Sequence, residues 1–160
     1  MNKKTIYLET SVVSYLTARP SENLIAAAWQ KATVDWWETQ RVRFDLFISG
    51  VVLEEASRGN PEAAQRRIEI LGGITSLAVT DDVIILSKDL IQKKALPKKA
   101  VDDSFHIAIS AVHRINYLLT WNCRHIDNAE TKPLVRGICI ANGHTCPEIC
   151  TPLELMGVLQ

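Results

Sequence analysis

Four hydrophobic runs in this sequence each end in a carboxylate or amide side chain. The polar residues at the run ends are Glu9, Glu55, Asp103 and Asn122. Hard oxygen ligands that follow buried strands or begin helices are typical of Mg²⁺ and Mn²⁺ sites in proteins. If the four runs fold together, the sequence therefore predicts a cage that binds a divalent metal ion.

The acidic residues also have a purely structural explanation. Asp102 and Asp103 would favour the positively charged N-terminus of a helix. Glu54 and Glu55 could lie on a solvent-exposed helix face. This explanation is weaker for the set as a whole, because converging carboxylates repel one another unless a cation is present.

Strands and helices that alternate along the chain would position these residues. Short apolar segments predict strands at 4–8, 44–49, 75–79, 117–121 and 148–151. Segments with helical periodicity, several of them with a capping residue, predict helices that begin at 10, cover 20–41, run from 49 to about 59, cover 62–71, run from 80 to about 94, cover 97–114 and begin at 152. This alternation predicts an α/β fold in three layers, with a central, mostly parallel sheet and helices on both faces. Ligands of such sheets bind at the carboxyl ends of the strands.

Size and charge limit the classes of function. The chain has 160 residues, 47% of them hydrophobic, which is enough for one domain, 1–160, with its own core. The 18 basic and 18 acidic side chains cancel, so any site for a polyanion must be local. The first apolar run is too short for a signal peptide, and no run approaches the roughly 20 residues that span a bilayer. We therefore expect a soluble, cytoplasmic protein with no membrane segment.

The cysteines Cys123, Cys139, Cys146 and Cys150 all lie near the C-terminus. They are most simply explained as reduced thiols of a cytosolic protein. His144, Cys146 and Cys150 are an alternative set of zinc ligands, but their spacing matches no standard zinc motif and a fourth ligand is not obvious.

The predicted 20–41 helix carries three tryptophans, Trp29, Trp36 and Trp37. In one interpretation they are ordinary core residues. In the other, the helix presents them outward and forms an interface with a second copy or a partner. The second interpretation predicts a homodimer.

The polar run ends resemble the motifs of the PIN-domain family and, within it, the VapC-type ribonuclease toxins. Glu9-Thr10-Ser11 is similar to the opening motif at the end of the first strand, where the family usually has Asp followed by a hydroxyl residue. Ser49 with Glu55 is similar to the second acidic motif. These two matches place the first half of the chain in the pattern.

The second half of the chain continues the resemblance. Asp103-Ser104-Phe105-His106 resembles the third motif, an Asp followed on the same helix by apolar residues and often a His, and it is the most specific match. Thr120-Trp121-Asn122 is similar to the fourth motif. The resemblance covers nearly the whole chain, with the motifs in the family order.

The resemblance implies a metal-dependent endoribonuclease, the toxin of a type II toxin–antitoxin pair, with Mg²⁺ or Mn²⁺ as cofactor. Glu9 and Asp103 would bind the metal directly, and Glu55 and Asn122 would ligate it or hold a metal-bound water. The hydroxyl residues Thr10, Ser11 and Thr120 would hold the surrounding waters. The implied partners are an RNA substrate, a cognate antitoxin and a second copy of the chain.

Two residues depart from the family pattern. Glu9 carries one methylene more than the usual Asp, and Asn122 removes a negative charge, so metal binding should be weakened. A PIN module that binds RNA or a protein without cleaving it is therefore the alternative. A phosphoryl-transfer domain of the receiver or phosphatase type is disfavoured, because the opening strand motif has no acidic pair.

Two histidines accompany the motifs. His106 follows Asp103 on the same helix and is expected to be a packed histidine rather than a catalytic one. His125 follows Asn122 and would either contact an RNA phosphate or pack against the protein. The sequence leaves both interpretations of His125 open.

Overall fold

The structure is a computed structural model that describes residues 2–158. Met1, Leu159 and Gln160 of the predicted domain lie outside the described residues. Within this range the strands are β1 (Lys4–Leu8), β2 (Phe44–Ser49), β3 (Thr75–Leu77), β4 (Tyr117–Leu119) and β5 (Glu148–Cys150). The α-helices are α1 (Thr10–Thr17), α2 (Leu24–Thr39), α3 (Gly50–Ala56), α4 (Pro61–Leu71), α5 (Asp81–Gln92), α6 (Val101–Val112) and α7 (Lys132–Ala141). Short 3₁₀ turns cover Arg41–Arg43 and Pro152–Leu155.

The strands form one sheet in the order β3-β2-β1-β4-β5, and every neighbouring pair is parallel. The chain adds β2 and β3 on one side of β1, then crosses back to add β4 and β5 on the other side. The strand order therefore reverses between β1 and β4. In open parallel sheets this reversal point is where the loops diverge and a ligand site forms.

The helices divide into two groups that cover the sheet. Helices α1 to α4 connect the strands on one side of β1 and contact one another, whereas α5 contacts both α6 and α7. Because parallel crossovers are right-handed, the reversal of strand order places the two groups on opposite faces. This arrangement confirms the predicted three-layer α/β fold.

Strand β1 lies in the middle of the sheet and has the most buried sequence. Ile6, Tyr7 and Leu8 are fully buried, as expected for a strand covered by helices on both faces. Trp36 of α2 is also fully buried, and its indole N–H donates a 3.2 Å hydrogen bond to the carbonyl of Leu155. Trp36 is thus a core residue, as the first interpretation of the tryptophans predicts.

Several helix boundaries differ from the predicted ones. Helix α2 is shorter than 20–41 because Asn23 caps it, accepting a 3.0 Å bond from the N–H of Ala26. Helix α6 begins at Val101 rather than at Pro97, because Pro97 opens a turn closed by the N–H of Ala100. After Pro152 the chain makes only a 3₁₀ turn instead of the predicted helix.

Helix α7 was not predicted from the sequence. It begins beside Pro133, a residue favoured in the first turn of helices. Its buried residues Val135, Ile138 and Cys139 have helical spacing, so the signal was present but short. Within residues 2–158 each helix falls short of the length or apolar character needed to cross a bilayer.

Candidate active site and metal centre

Two of the predicted site residues meet at the reversal point of the sheet. The register pairs Leu8 with Leu119, so Glu9 and Thr120 follow directly on adjacent strands. The backbone N–H of Glu9 donates to the carbonyl of Leu119 at 3.1 Å, and the Thr120 hydroxyl donates to Oε1 of Glu9 at 3.1 Å. Strand pairing therefore fixes both residues at the carboxyl edge of the sheet.

Glu9 is almost completely buried, with only 4% of its surface exposed. Its Oε2 accepts a short hydrogen bond from the N–H of Ser11, so the carboxylate caps α1. Burial raises the pKa of Glu9 because it disfavours the charged form, and the nearby charge of His106 opposes that increase.

Glu55 is held from two sides. Its Oε1 accepts a 2.8 Å hydrogen bond from the Thr10 hydroxyl and lies 2.5 Å from Nε2 of His106. Burial alone would raise the pKa of Glu55, but the hydrogen bond and charge of His106, the hydrogen bond from Thr10 and the charge of Arg58 together outweigh burial and lower the pKa. Glu55 is therefore a stably ionised carboxylate in the site.

His106 connects Glu55 to a buried chain of hydroxyl groups. Its Nδ1 lies 2.6 Å from the Tyr7 hydroxyl, which in turn lies 2.7 Å from the Ser49 hydroxyl. Burial alone would lower the pKa of His106, but the hydrogen bond with Glu55 and the surrounding carboxylates raise it. Burial raises the pKa of Tyr7, which stays a neutral hydroxyl. His106 is thus packed, as predicted, and also forms the centre of a polar network.

Asp103 lies on the first turn of α6 and is paired with His125. Its Oδ2 lies 2.9 Å from Nδ1 of His125, and both side chains are about one-fifth exposed. The N–H of His125 donates to Oδ1 of Asn122 at 2.9 Å. His125 thus packs against Asp103 and the Asn122 turn.

The amide of Asn122 faces its own turn. Its Oδ1 accepts from His125, and its backbone N–H donates to the Thr120 hydroxyl at 2.9 Å. The Ser11 hydroxyl likewise accepts from the N–H of Trp121 at 2.8 Å. The predicted ligand Asn122 and the predicted water-holding residues Ser11 and Thr120 therefore all have partners within the protein.

The three carboxylates Glu9, Glu55 and Asp103 are brought together around His106. Glu55 lies 2.5 Å from Nε2 of His106, and Asp103 lies about one turn before His106 on α6. Glu9 is followed by Thr10, whose hydroxyl donates to Glu55. Asn122 joins this group through His125 and Thr120. The four predicted site residues thus lie in two adjacent hydrogen-bonded groups, one with Glu9, Asn122 and Asp103 and the other with Glu55, and the neighbouring residues Glu9 and Thr10 join them. We call these two groups together the acidic network.

The donors in this network are of the kind that hard divalent ions prefer. They are carboxylate and amide oxygens, and Oδ1 of Asp103 and Oε2 of Glu55 accept no hydrogen bond from the described residues. Among residues 2–158, however, no three His, Cys, Asp or Glu side chains are already close enough to enclose a metal ion. The residues fit Mg²⁺ or Mn²⁺ in chemistry, and binding an ion would require side chains to rotate.

The sequence did not identify Tyr7 as a residue of the site. Tyr7 lies inside an apolar strand, as an ordinary core residue would, whereas its hydroxyl holds His106. Ser49, which accompanies Glu55 in the second motif, caps α3 and also bonds Tyr7. The signal was a tyrosine in the most buried strand, because a buried tyrosine hydroxyl needs a partner.

The five-stranded parallel sheet with helices on both faces matches the fold of solved VapC structures. Two solved structures have a similar fold, both at low sequence identity. A crystal structure of Mycobacterium tuberculosis VapC20, described as a sarcin–ricin loop cleaving toxin, has 17% sequence identity and a TM-score of 0.55. The match covers 71% of this chain and 87% of the chain in that structure. A crystal structure of VapBC2 from Rickettsia felis, bound to a DNA fragment of its promoter, has 14% sequence identity and a TM-score of 0.56. The match covers 92% of this chain and 98% of the chain in that structure.

Comparison of the amino-acid sequence with known families and proteins finds no relative. No family model matches the chain. No curated protein matches it either. The similarity to the two toxin structures therefore concerns the fold, and what this chain does must be argued from its own residues.

Proposed function

We propose that this chain is a divalent-metal-dependent endoribonuclease and the toxin of a type II toxin–antitoxin pair. The observation that carries the proposal is the placement of three carboxylates near the buried His106 at the strand ends of a VapC-type fold. Glu55 contacts His106, Asp103 lies one turn before it on α6, and Glu9 is followed by Thr10, which donates to Glu55. Carboxylates in one region of a protein repel one another, and a bound cation would relieve that repulsion. One histidine can compensate only part of this negative charge.

In this proposal each ligand is oriented by a neighbour. Glu9 and Asp103 would hold the ion, with Glu55 and Asn122 ligating it or holding a bound water. Bound Mg²⁺ or Mn²⁺ would activate a water molecule and offset the charge that develops on the phosphate during hydrolysis. Thr120 orients Glu9 at 3.1 Å, and His125 orients Asp103 at 2.9 Å. Such supporting contacts fix the direction of ligand lone pairs.

Metal affinity should be modest. Both oxygens of Glu9 and the amide oxygen of Asn122 already accept hydrogen bonds, and an ion must compete with these donors. Asn122 also contributes no charge. We therefore expect activity only at millimolar Mg²⁺ or with added Mn²⁺, and a nanomolar Mg²⁺ affinity in solution would contradict this.

The test of the proposed activity is RNA cleavage by matched asparagine variants. Asp103→Asn should abolish cleavage of total cellular RNA in Mn²⁺, because it replaces a negatively charged ligand with a neutral amide that binds the ion much more weakly. Asp102→Asn is the control, since Asp102 is 43% exposed and its Oδ2 lies 3.4 Å from Arg58 rather than in the network. Equal loss of cleavage in both variants, or full activity of Asp103→Asn, would contradict the proposal.

The proposed partners are an antitoxin that blocks the acidic edge, a second copy of the chain and RNA in the cytoplasm. The similar Rickettsia felis structure is a VapBC2 complex, which supports looking for an antitoxin partner. For self-association the best candidate surface is the start of α2, where Leu24 and Ile25 are 87% and 65% exposed. Light scattering should detect a dimer that Leu24→Glu disrupts, and a wild-type monomer at high concentration would contradict the dimer.

A non-cleaving PIN module is the second candidate. It is favoured by the uncharged Asn122 and by the absence of a preformed three-ligand group among residues 2–158. RNA bound by the wild type without turnover in Mn²⁺ would support this alternative. In that case Asp103→Asn should leave RNA affinity unchanged or increase it, because it removes a negative charge from the binding edge.

A further inference from the structure

A cavity beside the acidic network is lined by three arginines. It lies between α1 and α4 and has a volume of about 410 Å³. Its walls carry the guanidinium groups of Arg19, Arg66 and Arg67 and one carboxylate, that of Glu62. Arg19 and Glu62 form an exposed ion pair at 3.3 Å, so the other two arginines give the cavity an excess of positive charge. We call this cavity the arginine pocket.

Backbone carbonyls anchor the two arginines of α4. Nε of Arg66 donates a 3.1 Å hydrogen bond to the carbonyl of Thr17, the last residue of α1. Nε of Arg67 donates to the carbonyl of Ala56 at 2.9 Å, and its Nη2 donates to the carbonyl of Arg58 at 2.6 Å. These bonds satisfy carbonyls at helix C-termini and fix the direction of each guanidinium group.

The anchoring leaves positive charge that the described residues do not neutralise. Within residues 2–158 the arginines that pair with carboxylates are Arg19 and Arg58, so Arg66 and Arg67 keep their charge. Arg66 is partly buried, and its two Nη groups donate to no acceptor among these residues. An anchored guanidinium with available N–H groups is suited to an anion, because its planar fork matches the oxygens of a phosphate or a carboxylate.

The arginine pocket adjoins the acidic network along two helices. Thr10 and Ser14 lie one turn apart on the same face of α1, and the Thr10 hydroxyl donates to Glu55 whereas Ser14 lines the pocket. On α3, the carbonyl that Arg67 binds belongs to Ala56, the residue after Glu55. Because one helical turn is about 5 Å long, the pocket lies within a nucleotide or so of the acidic network.

We propose that the arginine pocket binds a backbone phosphate of the RNA substrate, next along the strand to the phosphate that is cleaved. RNA as the occupant follows from the proposed nuclease function, on which this assignment rests. An RNA strand is favoured over an acidic peptide, because a single strand would place one phosphate in the pocket and the next at the metal site. Phosphate contacts position a strand without reading its bases, so the pocket would set the direction of the RNA across the acidic network.

The test is binding of a fluorescently labelled single-stranded RNA of mixed sequence, measured by anisotropy in EDTA so that no metal-dependent cleavage occurs. Arg66→Gln should weaken binding about tenfold at low salt, because a charge-assisted contact to phosphate is lost. The slope of the logarithm of affinity against the logarithm of salt concentration should become shallower by about 0.7, the value for one phosphate of a single strand.

Arg43→Gln is the matched control. Arg43 precedes β2 at the amino edge of the sheet, opposite the acidic network, and it also donates to a backbone carbonyl, that of Leu155 at 3.5 Å. Within residues 2–158 it likewise pairs with no carboxylate. Arg43→Gln should therefore leave both the RNA affinity and the salt slope unchanged.

Two further variants separate a phosphate site from a structural role of Arg66. Arg66→Lys keeps the positive charge and should keep the wild-type salt slope, although its affinity falls because the fork is lost. Glu62→Gln removes the carboxylate of the pocket and should strengthen RNA binding about threefold, a gain that damage to the fold does not produce. Circular dichroism and the melting temperature check the fold of each variant.

The phosphate site is contradicted by a wild-type salt slope in Arg66→Gln, by equal losses in Arg66→Gln and Arg43→Gln, or by a wild type that binds no RNA. A polyglutamate peptide that binds the wild type but not Arg66→Gln, while RNA affinity stays unchanged, would also overturn it and assign the pocket to an acidic protein segment.

RNA cleavage in Mn²⁺ is measured separately from RNA binding, so the two proposals can fail independently. Cleavage by the wild type, with RNA affinity and salt slope unchanged in Arg66→Gln, would remove the phosphate site and leave the nuclease. RNA binding that depends on Arg66, without any cleavage, would keep the phosphate site and contradict the nuclease.

Discussion

The hydroxyl of Thr120 donates a 3.1 Å hydrogen bond to Oε1 of Glu9, across the ends of the two strands where the sheet order reverses. This contact joins a buried carboxylate to the strand that leads to Asn122. The same hydroxyl accepts a 2.9 Å bond from the backbone N–H of Asn122. One side chain thus positions two residues of the candidate site.

Removing this hydroxyl should destabilise the protein. Thr120→Val leaves a buried carboxylate with one donor fewer and a backbone N–H without its acceptor, so we expect a loss of about 2 kcal/mol in the free energy of unfolding. Thr120→Ser keeps the hydroxyl and should lose less than about 1 kcal/mol, mainly for the missing methyl group. Urea denaturation at neutral pH measures both, and equal losses in the two variants would show that the hydrogen bonds are unimportant.

The hydroxyl of Tyr7 is the second test of the network. Tyr7→Phe leaves Nδ1 of His106 and the Ser49 hydroxyl without this partner in the core. We therefore expect the free energy of unfolding to fall by about 1 to 3 kcal/mol. Tyr117→Phe is the matched control in the same sheet, because the Tyr117 hydroxyl forms no hydrogen bond within the described residues and its side chain is only partly buried. Chemical denaturation that finds the two variants equally stable would contradict the buried network.

An ion pair anchors the turn that follows Asn122. Nζ of Lys132 at the start of α7 lies 2.5 Å from Oδ1 of Asp127, and the two side chains are 19% and 7% exposed. Lys132→Met leaves the nearly buried carboxylate of Asp127 unpaired and should lower the free energy of unfolding by about 3 kcal/mol. Lys93→Met is the control, since Lys93 is 52% exposed in its pair with Asp89 and should cost less than about 1 kcal/mol.

The pH dependence of the Lys132 pair has a definite sign. The hydrogen bond with Asp127 raises the pKa of Lys132. A raised folded-state pKa means that the stabilisation is fully present below the ordinary lysine pKa and is lost as the pH rises through the folded value. The stability difference between wild type and Lys132→Met should therefore be constant around neutral pH and shrink only in strong alkali, and a difference that disappears near neutrality would contradict the pair.

The sequence predicted what depends on local pattern. The apolar segments before Glu9 and Asn122 predicted the ends of the two central strands, because a buried strand and the polar residue that follows it are neighbours in the sequence. The start of α3 was likewise predicted at Ser49 or Gly50, and Ser49 is its cap. The α/β class, the parallel sheet and the acidic edge follow from such local signals.

The parts that could not be predicted depend on contacts between distant segments. Tyr7 and His106 are 99 positions apart, and nothing in either segment indicates that they share a hydrogen bond. The direction of the Asn122 amide, toward its own turn rather than toward the carboxylates, is set by the folded turn around His125. Helix α7 was missed because its apolar pattern is brief and its start has no side-chain cap.

The central claim is that the acidic network binds a divalent metal through Asp103. The most direct measurement is calorimetric titration of Mn²⁺ into the wild type, Asp103→Asn and Asp102→Asn, with folding checked by circular dichroism. We predict binding to the wild type and to Asp102→Asn, and an affinity at least about tenfold weaker, or about 1.4 kcal/mol, in Asp103→Asn. Equal binding to all three folded proteins, or binding to none, would contradict the metal site.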